Sequence, residues 1–234
     1  MGTSKPEGIQ LFLNNDSFIK YPYMKQMVRS FIYLQSSHKM LFCTYRNILT
    51  MSSLDGNKNE IIERNIRAYE FGVGEDKVFI ATSRSILIMT PDCRNLKLLT
   101  KLKTPVRSMA VDTKRSVLYM GCMRDFIEKY TFKGVKKGKI HFQERPRLLY
   151  IEPSTDLLYY VVYSKQQLYT TIWTMSLHDS RNTMLAQHEH LIDDVCVLDN
   201  TVYAIDTGVI LVSGKNSRTI KCNTSSLTFC GFIP

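Results

Sequence analysis

The sequence predicts an all-β protein, a β-propeller of short antiparallel strands. Two observations carry that prediction. An apolar–aromatic pair returns about every forty residues, and each pair sits among strand-like runs separated by polar turns. Helical periodicity is nearly absent. Only Thr183 to Ile192 carries a short apolar pattern at helical spacing.

The pairs are Leu41-Phe42, Val78-Phe79, Leu118-Tyr119, Leu158-Tyr159 and Val202-Tyr203, with their second members 37, 40, 40 and 44 residues apart. Leu11-Phe12 is a candidate sixth. An alternating strand precedes each of the five: Phe31 to Leu34, Tyr69 to Val73, Ser108 to Asp112, Leu148 to Glu152 and Val195 to Asp199. Polar turns such as Asp112 to Ser116 and Glu152 to Asp156 link that strand to the pair. A third strand follows, as in Asn47 to Met51, Ser85 to Met89 and Gly208 to Val212. A weaker fourth closes several units, as in Asn95 to Leu102, Lys139 to Gln143 and Arg218 to Cys222.

Four short strands per forty-residue unit is the signature of a propeller blade. One such sheet cannot bury both of its faces, whereas radial stacking covers them. The two ends look like parts of one more unit: Leu227 to Ile233 resembles an innermost strand, and Ile9 to Leu13 and Phe18 to Met24 resemble later ones. Ring closure by the N- and C-terminal segments would remove open sheet edges. Six blades fit that count, and five are the alternative. The chain is expected to be one domain, residues 1–234.

Pro105 to Asp112 leading to Leu118-Tyr119, and Leu41-Phe42 leading to Ser53-Leu54-Asp55-Gly56, resemble the repeats of six-bladed propellers. The similar families are the lipoprotein-receptor class, with tyrosine-tryptophan-threonine-aspartate (YWTD) repeats, and the intracellular NHL repeats. The resemblance implies the architecture over nearly the whole chain. The signature tryptophan is missing, since the single Trp, Trp173, stands elsewhere, and the Trp-Asp and Gly-His marks of WD40 blades are absent.

The net charge is +10, and its excess is local. Between Arg94 and Arg147 there are 15 Lys and Arg against four acids, while the rest of the chain is almost balanced. Lys133, Lys136, Lys137 and Lys139 are densest and read as a hairpin loop. Such a one-sided field attracts anionic partners. A second pattern is periodic: Arg29, Arg67, Arg107 and Arg147 stand just ahead of successive innermost strands at spacings of 38, 40 and 40. Equivalent positions in a propeller surround the central channel on one face, where gathered guanidiniums suit carboxylates or phosphates. The competing expectation is structural, with each arginine tying its blade to the next.

These residues lead to a non-enzymatic interaction scaffold that binds an acidic or phosphorylated segment of a partner protein. RNA binding by the basic second and third blades is the alternative. A metal-dependent hydrolase is a distant third, because arginines at the rim would repel a divalent cation. No catalytic residue, metal or cofactor is expected. His188-Glu189-His190 reads as a solvated turn, and nucleotide-binding and nucleophile motifs are missing.

The six cysteines are dispersed and set among apolar residues, so buried reduced thiols are expected. Without an apolar leader at Met1 to Glu7 or a run long enough to span a bilayer, the expected setting is cytoplasmic or nuclear.

Overall fold

The computed structural model describes residues 10–12, 18–20, 28–53, 58–152, 155–164, 169–189, 191–192, 194–198, 201–206, 209–213 and 218–221. Near the N-terminus β1 (Gln10–Phe12) and β2 (Phe18–Lys20) pair as an antiparallel hairpin. Five four-stranded antiparallel sheets follow among the described residues. Sheet I holds β3 (Val28–Leu34), β4 (Lys39–Thr44), β5 (Ile48–Ser53) and β6 (Asn59–Arg64). Sheet II holds β7 (Ala68–Gly74), β8 (Lys77–Thr82), β9 (Ser85–Met89) and β10 (Lys97–Lys101). Sheet III holds β11 (Val106–Asp112), β12 (Val117–Cys122), β13 (Phe126–Thr131) and β14 (Lys136–His141). Sheet IV holds β15 (Pro146–Glu152), β16 (Leu157–Ser164), β17 (Tyr169–Ser176) and β18 (Asn182–His188). Sheet V holds β19 (Asp194–Leu198), β20 (Thr201–Asp206), β21 (Val209–Ser213) and β22 (Arg218–Lys221).

Within each sheet the strands neighbour one another in chain order. The first strands β3, β7, β11, β15 and β19 also pack against each other in succession, so the sheets radiate from them as blades. Burial follows that geometry. Every residue of β12 is buried because sheets cover both its faces, which is why Val-Leu-Tyr-Met-Gly-Cys does not alternate. The fourth strands β6, β10 and β14 lie at the outer edge and are largely exposed.

The core is layered between blades. Leu41, Leu49, Phe71 and Ile80 fill the space between sheets I and II, and Phe79, Met109, Leu118 and Phe132 that between II and III. Ala110, Tyr119, Leu149 and Leu158 join III to IV, and Tyr159, Val161, Val195 and Val202 join IV to V. Each apolar–aromatic pair belongs to the second strand of its sheet, so one member can face each neighbouring blade. At Gly74 the Phe132 ring packs so near that an added Cβ would lie 2.8 Å from its Cζ.

Polar contacts join the blades at the turns after the innermost strands. Asp112 Oδ2 and Asp156 Oδ1 accept hydrogen bonds from Arg115 Nη1 at 3.1 and 3.2 Å, and Lys114 Nζ donates to Asp156 at 3.2 Å. Ser116 Oγ donates to Glu75, linking sheets III and II.

Two local readings sharpen. Thr183 to His188, the start of the short helical-period pattern, belong to β18, which pairs with β17, so His188 stands in a strand and not in the expected solvated turn. The basic hairpin turns at Phe132 to Val135, and Lys136 to Lys139 lie within β14. Terminal ring closure, and with it the choice between five and six blades, rests on Leu227 to Ile233 and neighbouring segments outside the described residues. Cys43, Cys93 and Cys122 are buried unpaired thiols. Among the described residues, no helix is long and apolar enough to cross a membrane.

Candidate functional site

The innermost strands β3, β7, β11 and β15 are each seven residues long, and their second residues are Arg29, Tyr69, Arg107 and Arg147. At this level each strand is bulged against its partner. Pairing skips Arg29, Tyr69 and Arg107 in sheets I to III, and Leu148 in sheet IV. Leu148 adopts the left-handed conformation with φ of 45°, while Arg147 remains paired with Val161. A bulge twists the strand and redirects its side chain.

The arginines collect around tyrosines. Tyr69 is the hub: the guanidinium carbons of Arg67, Arg29 and Arg107 lie 5.2, 5.7 and 5.9 Å from its ring centre. Three successive blades thus bring positive charge to one aromatic ring. Arg29 also lies 4.6 Å from the ring of Tyr45, and Arg147 lies 5.6 Å from that of Tyr163. Tyr45 and Tyr163 are equivalent, each one step beyond the residue paired with the first position of its innermost strand.

Among the described residues, no Asp or Glu forms an ion pair with Arg29, Arg67, Arg107 or Arg147. The Nε of Arg29 is enclosed without a hydrogen-bond partner. Next to Arg29, Ser30 Oγ donates to the Ala68 carbonyl at 3.2 Å, so a serine bridges sheets I and II at this point. Ser30 and the arginine–Tyr69 contacts thus both join neighbouring blades at this level.

The basic stretch of sheet III behaves differently. Glu128 is buried at 1% exposure and accepts from Lys136 Nζ and, at 2.8 Å, from the Tyr130 hydroxyl. Lys139 Nζ lies 3.8 Å from the same carboxylate and 3.9 Å from the Phe126 ring centre. Burial and the neighbouring Glu128 carboxylate both push the Tyr130 hydroxyl above its ordinary pKa. Lys133 and Lys137 are exposed on this edge. Two of the four lysines are therefore engaged by a buried acid.

Similar folds are found among solved structures. Hydrazine synthase of Kuenenia stuttgartiensis superposes with a TM-score of 0.63 at 10% identity, over 83% of this chain and 65% of that one. An auxiliary nutrient binding protein from Bacteroides thetaiotaomicron superposes with a TM-score of 0.63 at 11% identity, over 84% of this chain and 57% of that one. The chain is a β-propeller. At these identities the likeness concerns fold alone, and the chain spans less than two thirds of the length of either neighbour. No protein-family model and no curated protein sequence matches it.

The propeller's rim departs from the spacing read in the sequence at one blade. Tyr69, not Arg67, is the residue of sheet II equivalent to Arg29, Arg107 and Arg147. Arg67 stands one residue ahead of β7, as Arg145 stands one residue ahead of β15. Arg145 was not among the expected residues. Its signal was its place relative to Arg67, visible only once the strands are aligned. Burial, then the charges of Arg147 and Arg107, hold its pKa below the ordinary value.

Proposed function

We propose that this propeller is a non-enzymatic interaction scaffold whose arginine rim holds an acidic or phosphorylated segment of a partner protein. The observation that carries the reading is the convergence of Arg29, Arg67 and Arg107 on Tyr69 without a described carboxylate paired to them. Planar guanidiniums backed by a ring are held in place, and they present several donors to carboxylate or phosphate oxygens. Under this reading the chain belongs with YWTD-like or NHL-like six-bladed propellers and works in the cytoplasm or nucleus.

The test compares binding of aspartate- and glutamate-rich peptides to the intact chain and to two double variants. Arg67→Ala with Arg107→Ala is expected to weaken binding by roughly 3 kcal/mol, since a charged hydrogen bond contributes about 1.5–3 kcal/mol. Lys133→Ala with Lys137→Ala is expected to change it little. The reverse result, joined to steeply salt-dependent binding of single-stranded RNA, would instead support the nucleic-acid reading.

A further inference from the structure

Arg145 precedes β15, which packs beside β11. Arg145 and Arg147 of sheet IV therefore stand at the start of the strand beside the one that carries Arg107 of sheet III. The Arg145 Nε is enclosed and has no hydrogen-bond partner, and no described Asp or Glu forms an ion pair with any of the three. The depressed pKa of Arg145 has burial as its first cause and the two neighbouring arginines as the others. Positive charge is thus gathered in a partly desolvated place without a paired carboxylate among the described residues. Such a place gains most from an anion carrying more than one charge.

We infer that Arg107, Arg145 and Arg147 form a subsite for the phosphoryl group of a phosphorylated serine or threonine in the bound segment. The inference rests on the rim being a docking face for an anionic protein segment, and it narrows the chemistry of that segment. A carboxylate brings one charge and two oxygens. A phosphoryl group brings a charge of about −1.5 to −2 and three acceptor oxygens, enough to engage three forks together. Two of the forks are already supported by rings, Arg107 by Tyr69 at 5.9 Å and Arg147 by Tyr163 at 5.6 Å. That support lowers the ordering cost of binding.

The experiment uses the full chain and three fluorescent peptide pools, randomised except for a central phosphoserine, glutamate or serine. The phosphoserine pool is expected to bind about tenfold more tightly than the glutamate pool, reflecting the extra charge and acceptor. Arg145→Gln should bring the two pools level while leaving the glutamate pool nearly unchanged. Lys97→Gln, on the exposed outer strand β10, should alter neither. If Arg145→Gln does not fold, Arg147→Lys must remove the preference, because it keeps the charge and loses the fork. Equal wild-type binding of the phosphoserine and glutamate pools overturns the subsite and leaves the docking face standing, as does an equal loss from both in the variant. Binding of neither pool overturns both.

Discussion

The guanidinium carbon of Arg29 stands 4.6 Å from the ring centre of Tyr45, and the same pairing returns three blades later between Arg147 and Tyr163. Tyr45 is 51% exposed, so water screens its pair with Arg29. A double-mutant cycle of Arg29→Ala and Tyr45→Leu is expected to give a coupling of about 0.5–1 kcal/mol in unfolding free energy. A coupling of zero would mean that the stacking does not orient the arginine.

The lysines of sheet III should separate by role. Lys136→Met leaves the buried Glu128 short of its closest cation, and is expected to destabilise the fold by about 3 kcal/mol in urea unfolding. Lys133→Met and Lys137→Met should each stay within about 0.5 kcal/mol of the wild type. Uniform small effects would show that Glu128 does not need Lys136.

Burial pushes the Cys93 and Cys122 thiols up to about 11 and raises Cys43 in the same direction. At pH 8 these three should therefore resist a thiol reagent until the protein is denatured. The raised values also give stability a sign. Their contribution is complete below pH 9.0, the ordinary thiol value, and is lost between there and pH 11 as the unfolded chain ionises first. Unfolding midpoints measured across that range should fall, and less steeply for Cys122→Ala. A flat profile in the wild type would contradict the burial of these groups.

Gly74→Ala would set a Cβ 2.8 Å from Phe132, which itself packs 4.7 Å from Phe79 between blades II and III. Overpacking of this kind costs about 1–3 kcal/mol. The expected result is a lower thermal midpoint, partly restored by Phe132→Leu. If the second change only adds to the first, the two residues do not share one space.

The architecture was legible because Leu41-Phe42 and its four successors mark strands covered on both faces, and that demand repeats with each blade. Ser85 to Met89 even coincides with β9. The helical-period pattern from Thr183 begins in β18, an outer strand without a fully buried residue, where Met184 and Leu185 are exposed and no face imposes strand alternation. The rim was half legible. Counting between arginines found Arg29, Arg107 and Arg147, but it could not see that the bulge level in sheet II belongs to Tyr69. It therefore set Arg67, which joins the cluster from just ahead of β7, level with the other three, and passed over Arg145. The burial of Glu128 was likewise hidden, because a lone acid between basic residues looks the same whether it is solvated or enclosed.

The bulges also separate what the sheets do from what the rim does. Arg29, Tyr69 and Arg107 are skipped by the pairing of their strands, so no backbone register depends on which side chain stands there. Exchanging those side chains alters the chemical face and leaves the strand alignment untouched. Under the proposed docking function, recognition would change one blade at a time, and the three positions would form a cassette for redesigning it.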